Sequence, residues 1–468
     1  MGFRSIIAAV AAACTLAGSA IAQDYDRFVF VKAGKVITVS GEEIERGDII
    51  IEDGKVSLVG LALDPPAGAR IIEARDQTVM PGLIVSRTRE GLPSYSRRGT
   101  HADRSAADEV YYDELDFEPM LEHGVTAVAF YPAGRGIPGV ASVYRTGGAE
   151  EERLLRRSGY VRATMASLKR DKKTLRDAFN KARSELDKVE KAREEWEKKQ
   201  AAKKAEAAKK GEGDKPQSDT PQPDKPKPEQ PKPDRPKPED KAPTPPEESP
   251  DPEQPPKDAP SDDEKPSEPE AFEPPEIDKT VRPLARMIEG GGPRLMIELS
   301  GAAGLLHAED AIEKHEKVRP AYYVPRSSST DFERVVDHLG EARAKVLTTP
   351  SLSELAYTDV RFNLPGALAA SGAEVSLTPS QSNATGLRRY RANIAGLARS
   401  GLTREDAIKA MTLNPAKLLN IADKVGSIEP ERSADLIFLT GDPLDPHTRV
   451  DGVMIEGVMI WERDDADN

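Results

Sequence analysis

The sequence predicts an α/β protein: a (β/α)8 TIM-like barrel plus a small composite β-sandwich from the N- and C-terminal strands, with an inserted helix and a disordered loop. Three observations predict this architecture. β-branched runs occur at both ends of the chain, strand-like and helical segments alternate between them, and one segment rich in Pro, Lys and Glu interrupts the alternation. Without that segment, residues 82–421 provide roughly 230 positions, which suits a (β/α)8 barrel.

The first 22 residues are typical of a secretory signal peptide. Arg4 supplies a positive charge, residues 6–16 are apolar, and Ala20-Ile21-Ala22 fits a cleavage site before Gln23. The apolar run is too short to span a membrane, and we predict no transmembrane segment. We therefore expect an exported protein, periplasmic or extracellular, that loses its only cysteine, Cys14, with the peptide.

The two ends of the mature chain are predicted to consist of strands. The runs FVFVKAGKVITVSG and GDIIIEDGKVSLVG near the beginning are separated by Gly and Asp-Gly turn signals, and ADLIFLTGDPLD and VDGVMIEGVMIWERD follow near the end. Two short sets of strands from opposite ends of a chain can complete one sandwich. We predict that residues 23–80 and 432–468 form it.

Residues 81–431 alternate apolar runs with helical segments, the pattern of a parallel barrel. The predicted strands are Gly82–Arg87, Val125–Tyr131, Tyr160–Met165, Arg294–Leu299, Arg319–Val324, Val346–Thr349 and Glu374–Thr378. The predicted helices include Phe117–His123, Arg282–Glu289, Leu306–Lys317, Asp331–Leu339 and Arg404–Leu419. This set is one strand short of a closed eight-stranded barrel, so we expect one further strand.

An insertion at residues 166–276 interrupts the barrel. Its second part, residues 212–276, holds more than half of the 39 prolines, and such a composition predicts a disordered loop. Its first part, residues 167–211, is predicted to be a charged helix. Apolar spacings of three and four over about three heptads leave three interpretations: a helix lying on the barrel, a coiled coil with another chain, or a solvated helix. The heptad positions are Leu175, Phe179, Ala182, Leu186, Val189, Arg193 and Trp196.

Net charge restricts the class of partner. The chain carries a formal charge of −13, so a nucleic acid recruited through its phosphates is not expected. An acidic balance favours solubility. The insertion at residues 166–276 remains a candidate contact for a protein partner.

Three motifs resemble those of the amidohydrolase superfamily. VMPGLI (residues 79–84) is similar to the start of its barrel, and residues 401–444 are similar to its closing signature. LEHGVTAVAFYPAGRGIPG (residues 121–139) is similar to the second-strand region of its imidazolonepropionase-like branch. The resemblance implies a (β/α)8 barrel beside a composite sandwich. It also implies hydrolysis of C–N bonds other than peptide bonds, in cyclic amides, with zinc or another divalent metal.

The positions that carry metal ligands in this superfamily are altered here. After Ile84 the family pattern has Asp-x-His-x-His, whereas this chain places Arg87 and Arg89 at the histidine positions. Ser380 stands where the resemblance implies an aspartate on the last strand. On a middle strand, Glu298 and Ser300 are the polar candidates for the barrel interior. A guanidinium has no acceptor for a cation, so we predict no metal site and no cofactor.

The histidines do not suggest a substitute metal centre. They are His101, His123, His307, His315, His338 and His447. His123 and His338 end helical segments, where a histidine commonly serves the helix C-terminus, and His307 and His315 are too far apart on one helix to share an ion. No other catalytic motif is present, so we predict no catalytic residues.

The leading hypothesis is an exported amidohydrolase-like protein that is catalytically inactive or repurposed to bind a ligand or a partner. Its candidate pocket consists of Arg87, Arg89, Glu298, Ser300 and Ser380. Either the two arginines satisfy carboxylates such as Glu298 within the barrel mouth, or they bind a small anionic ligand. Two alternatives remain: an active metal-dependent amidohydrolase with a non-standard site, and a scaffold that acts through residues 166–276.

Overall fold

The computed structural model describes residues 27–93, 96–111, 115–166, 168–211, 271–326 and 329–464. The predicted signal peptide at residues 1–22, with Cys14, lies outside the described residues, and so do residues 212–270 of the predicted disordered loop. Within the described ranges, no helix is both long and apolar enough to cross a membrane. The chain divides into one unit of residues 1–186 and 277–468 and a second unit of residues 187–276.

The described strands at the two ends of the chain mix buried and partly exposed positions, and the strands of the barrel sheet are mostly buried. In chain order they are β1 Phe28–Ile37, β2 Glu43–Glu45, β3 Gly47–Glu52, β4 Lys55–Leu61, β5 Arg70–Pro81, β6 Leu83–Thr88, β7 Arg97–Thr100, β8 Val125–Phe130, β9 Gly134–Ile137, β10 Gly139–Arg145, β11 Leu154–Met165, β12 Arg294–Leu299, β13 Ala321–Val324, β14 Lys345–Thr348, β15 Ser353–Glu354, β16 Arg361–Phe362, β17 Glu374–Leu377, β18 Leu436–Leu439, β19 Val450–Ile455 and β20 Val458–Glu462.

The described helices are mostly short and lie between the middle strands. They are α1 Glu118–Glu122, α2 Leu168–Gly211, α3 Arg282–Ile288, α4 Ala302–Ile312, α5 Val336–Glu341, α6 Leu364–Ser371, α7 Ala384–Ala398, α8 Arg404–Met411 and α9 Leu413–Leu418. Helices α6 and α7 were not among the predicted helices.

Strands from both ends of the chain form one eight-stranded sheet. Its order is β20-β19-β18-β5-β1-β3-β4, and β2 pairs with β1. The two ends meet where β18 runs antiparallel to β5, with Leu436 opposite Pro81. Buried side chains of both ends, such as Val31 and Phe438, belong to one apolar cluster. In sequence, the middle of the chain therefore lies between two segments of the same sheet.

The middle strands form a second eight-stranded sheet, in the order β17-β14-β13-β12-β11-β10-β8-β6. All seven predicted strands are present, and the predicted mixed α/β barrel is confirmed as a nearly closed eight-stranded sheet. The strand that was not predicted is β10, which runs antiparallel to both β8 and β11. No pairing between β17 and β6 occurs among the described strands, so the sheet stays just short of closure.

Two predicted helices have different bounds for identifiable reasons. The helix predicted from Leu306 begins earlier, at Ala302, because the Asp331 carboxylate accepts the Ala302 N–H at 3.1 Å and stabilises the new terminus. The helix predicted over Arg404–Leu419 is divided at Thr412 into α8 and α9. Pro415 lies in the first turn of α9, a position that tolerates proline, whereas a continuous helix would not.

Helix α2 begins on the first unit. Leu175, Phe179, Ala182 and Leu186 are buried and belong to the same apolar cluster as the outward side chains of the barrel strands. For these positions the structure favours the interpretation of a helix lying on the barrel. In the second unit, the Trp196 ring packs on Phe272 with centroids 5.7 Å apart.

A buried ion pair joins the barrel sheet to the terminal sheet. Arg145, the last residue of β10, lies 3.1 Å from the carboxylate of Asp435, with the two side chains 6% and 1% exposed. It also contacts Glu456 at 2.6 Å and donates to the Ser433 hydroxyl at 3.1 Å. Since removing one partner of a buried pair leaves an uncompensated charge, this contact is a sensitive point of the fold.

We expect Arg145→Ala to lower the free energy of unfolding by about 3–5 kcal/mol, because Asp435 would stay buried without its cation. Urea unfolding followed by circular dichroism measures the change. A second variant, Arg145→Ala with Asp435→Asn, should recover part of the loss because it removes the orphaned charge. A loss below about 1 kcal/mol for Arg145→Ala, as for an exposed pair, would contradict this assignment.

Candidate functional site

The parallel strands of the barrel carry a polar cluster towards their carboxyl ends. Val85 on β6 belongs to the outer apolar cluster and Ile84 to the inner one, and Arg87 lies near the end of the strand. Strands β8, β11, β12 and β13 bring Tyr131, Arg162, Glu298 and Tyr323 to the same edge. This edge is where barrels of this architecture bind their ligands.

Arg87 is held by one carboxylate and two aromatic rings. Its Nη2 lies 2.9 Å from Glu298 Oε2 and donates to the Tyr131 hydroxyl at 3.1 Å. Its guanidinium carbon is 4.1 Å from the Tyr131 ring centroid and 4.0 Å from that of Tyr323. A guanidinium in contact with two ring faces gains about 0.5–2 kcal/mol from each, which offsets part of the cost of burying it. The ion pair with Glu298 is the contact that the sequence analysis named.

Arg162 is the residue that the sequence analysis missed. It shares Glu298 Oε2 with Arg87, at 2.7 Å from its Nη2 and 3.3 Å from its Nε. Its Nη1 donates to the backbone oxygens of Pro132 and Gly134 at 3.2 and 3.0 Å. The signal was an arginine between Val161 and Ala163 in an apolar strand, where alternation places it on the inner face.

The three charges keep one another ionised. Burial by itself would raise the pKa of the Glu298 carboxyl, but Arg87 and Arg162 together lower it below its ordinary value. Burial would likewise lower the pKa of Arg87, but the Glu298 carboxylate together with Tyr131, Tyr323 and Tyr160 outweighs this and raises it. One carboxylate thus faces two guanidinium groups, and the trio has a formal charge of +1.

The remaining predicted site residues have different surroundings. Arg89 forms no ion pair with a carboxylate of the described residues. It donates to the backbone oxygens of Tyr131 at 2.9 Å and Pro93 at 2.5 Å, and burial lowers its pKa. Ser300 donates to the Met165 carbonyl at 2.7 Å, so its hydroxyl fastens β12 to β11. Ser380 follows β17 and lies in the wall of a cavity shared with the two arginines of β6.

That cavity, the mouth pocket, has a volume of about 480 Å³. Arg87 and Arg89 contribute its cationic wall, Glu90 contributes one exposed carboxylate, and the segment 380–383 lies at the entrance of helix α7. The full lining consists of Arg87, Thr88, Arg89, Glu90, Gly91, Tyr131, Tyr323, Thr378, Pro379, Ser380, Gln381, Ser382 and Asn383. Hydroxyl, amide and guanidinium donors dominate it.

These residues do not fit a divalent metal. Zinc and similar ions need lone pairs from His, Cys, Asp or Glu, whereas Arg87 and Arg89 offer only N–H donors. Glu298 has a carboxylate, but two guanidinium groups already surround it. Throughout the described part of the chain, no group of three or more His, Cys, Asp or Glu side chains could hold an ion.

The histidines have separate local partners. His338 contacts Glu309 at 2.9 Å, His447 contacts Asp445 at 3.1 Å, and His307 lies 3.3 Å from the Lys172 ammonium. His315 packs on the Phe179 ring, with centroids 5.1 Å apart. None of these contacts involves the mouth pocket.

Known proteins resemble this chain in part of its sequence and in its fold. Residues 297–460 match the Amidohydrolase family, and the match extends from β12 through the last strand. An amidohydrolase from Thermotoga maritima MSB8 shares the fold, with a TM-score of 0.62, 19% identity, and coverage of 93% of this chain and 100% of that one. The match over residues 297–460 and the shared fold support the amidohydrolase resemblance that the motifs predicted, and the branch within the superfamily stays a prediction.

Two further solved structures are similar at TM-scores below 0.5 and add nothing to the assignment. One is a Xaa-Pro dipeptidase with bound methionine, at a TM-score of 0.48 and 13% identity, covering 93% of this chain and 100% of that one. The other is an adenosine deaminase from Xanthomonas campestris with bound zinc, at 0.43 and 12%, covering 94% and 95%. No curated protein matches the chain.

We expect Glu298→Gln to lower the free energy of unfolding at neutral pH by about 2–3 kcal/mol, because Arg87 and Arg162 would lose their shared anion. The folded pKa of Glu298 is below its ordinary 4.5, so its contribution is complete above that value and is lost as the pH falls through the folded pKa. The difference between wild type and variant should therefore shrink below pH 4.5. Urea unfolding from pH 7 to pH 3 measures it, and a constant difference over this range would refute the role of the charge.

Proposed function

We propose that this chain is an exported amidohydrolase-fold protein that has lost its metal chemistry and binds a small anionic ligand in the mouth pocket. The observation that carries the proposal is the pair Arg87 and Arg162 around one carboxylate, Glu298, at the carboxyl edge of the barrel. In this superfamily the resemblance implies a metal centre at that edge. Fixed guanidinium groups repel a divalent cation and attract an anion.

The charge balance of the pocket supports an anionic ligand. The pocket lining holds two guanidinium groups, those of Arg87 and Arg89, and one carboxylate, that of Glu90, which leaves one positive charge in a chain of net charge −13. Outside the lining, Glu298 pairs with both Arg87 and Arg162. Among the described residues, Arg89 hydrogen-bonds only neutral backbone oxygens, and its guanidinium lies 5.7 Å from the Tyr131 ring centroid. A ligand carboxylate would therefore bind Arg89, whose planar guanidinium can donate two parallel hydrogen bonds to it.

The entrance of helix α7 adds a second source of positive potential. The segment 380–383 lines the pocket and leads into this 15-residue helix, whose N-cap is Asn383. The N-terminus of a helix carries about half a positive charge and favours anions. The hydroxyls of Ser380 and Ser382 would complete the coordination of the ligand as neutral donors.

We expect the full-length protein to bind small carboxylates, with succinate and acetate as calorimetric probes. Arg89→Gln should weaken binding at least tenfold, about 1.4 kcal/mol, because it removes the cation without a carboxylate partner. Arg399→Gln, the same change at the opposite end of α7, is the matched control and should leave the affinity unchanged. Absence of binding by the wild type, or equal weakening by both variants, would end the proposal.

The competing function is a metal-dependent hydrolase, which the match to the Amidohydrolase family favours. Metal content separates the two. We expect protein purified from zinc-supplemented cells to retain well below one zinc per chain after dialysis, since Arg87 and Arg89 provide no ligand atoms. One or two tightly held ions per chain, measured by mass spectrometry, would favour the hydrolase instead.

A further inference from the structure

A second cavity lies at the opposite edge of the barrel, where strands begin. It has a volume of about 270 Å³, and we call it the basal cavity. Arg294 is the first residue of β12, and Lys317 and Arg319 precede β13. The remaining wall comes from Met287, Gly290, Gly291, Gly292, Pro293, Leu295, Val318 and Asn420. The cavity shares no residue with the mouth pocket.

The three cations of the basal cavity have no matching carboxylates. No Asp or Glu lines the cavity, and the exposed side chains of Lys317 and Arg319 form no ion pair with the described residues. Arg294 Nε is shielded from solvent without a hydrogen-bond partner among the described residues, and its Nη1 reaches only the Arg319 backbone oxygen, at 3.4 Å. The carboxylate that acts on Arg294 is Glu374, and it already contacts Lys345.

The pKa values of Arg87 and Arg294 are shifted in opposite directions. At the mouth, Glu298 raises the pKa of Arg87 against the effect of burial. In the basal cavity, burial lowers the pKa of Arg294, and Glu374 offsets this only in part. Arg294 is thus a half-buried cation whose Nε has no hydrogen-bond partner among the described residues, a situation that an anion would relieve.

The glycine loop makes room for such an anion. Gly290 and Gly292 have φ values of 94° and 77°, a backbone region that disfavours other residues, and a β-carbon at Gly290 would lie 3.4 Å from Lys317 Cδ. Two carbonyls at the end of α3 are already bonded, since the N–H groups of Gly290 and Gly291 donate to the Met287 and Arg286 oxygens at 3.0 and 2.8 Å.

We propose that the basal cavity binds the phosphate group of a small soluble phosphomonoester. Such a group carries close to two negative charges and three strong acceptor oxygens, which matches three cations without a carboxylate better than a singly charged carboxylate does. The volume accommodates a phosphate with a few attached carbon atoms, since a water occupies about 30 Å³ in the liquid. The site is separate from the mouth pocket and does not depend on the function proposed for it.

Calorimetry on the full-length protein tests the proposal, with glycerol phosphate as the probe and glycerol as its uncharged counterpart. We expect the wild type to bind glycerol phosphate and not glycerol, and Arg319→Gln to weaken binding at least tenfold. Lys314→Gln removes an exposed charge outside the cavity, on the same connection between α4 and β13, and should bind like the wild type.

Four results would overturn the proposal. They are no binding of glycerol phosphate, equal weakening by Lys314→Gln and Arg319→Gln, binding to phosphatidylglycerol vesicles without binding to glycerol phosphate, and loss of binding in Arg89→Gln with Arg319→Gln unaffected. The last result would move the phosphate to the mouth pocket and support anion binding there. Retention of succinate binding in Arg319→Gln would show that the two sites are independent.

Discussion

A guanidinium group taken out of water must meet an anion or lose several kcal/mol of hydration free energy, and the barrel mouth is organised around this constraint. Glu298 on β12 provides this anion for both Arg87 on β6 and Arg162 on β11. Tyr131 and Tyr323 extend the cluster to β8 and β13 through contacts with the Arg87 guanidinium. Five strands are thereby linked at their carboxyl ends, on a sheet whose first and last strands do not pair.

The sequence predicted most of the fold because its signals are local. Seven barrel strands are short apolar runs that alternate with helical segments, and they occur within a few residues of their predicted bounds, although β11 begins six residues before the predicted start. Strand β10 was missed: glycines flank it, and it runs antiparallel within an otherwise parallel sheet. Its identity depends on pairing with β8 and β11, which no local pattern reveals.

Contacts of the site could be predicted where they depend on charge, and could not be predicted where they depend on the register of the strands. The need of Arg87 for a carboxylate pointed to Glu298. Arg162 was missed because its contact with Glu298 follows only once the pairing of β11 with β12 is known. Ser300 was expected beside Glu298 by alternation, but β12 ends at Leu299 and the Ser300 hydroxyl bonds Met165 instead. Single-residue errors of register therefore matter more for a site than for the fold that contains it.

The two edges of the barrel meet the same electrostatic constraint in opposite ways. At the mouth, the Glu298 carboxylate lies between two of the cations. An anionic ligand would therefore interact with the positive charge that Glu298 does not neutralise. At the base, Arg294, Lys317 and Arg319 surround a cavity without such a group, in a chain that has 80 acidic residues against 67 Lys and Arg. Unmatched cations repel one another and weaken the folded state. An anion held between them would remove that repulsion, so ligand binding at the base would stabilise the barrel as well as occupy it.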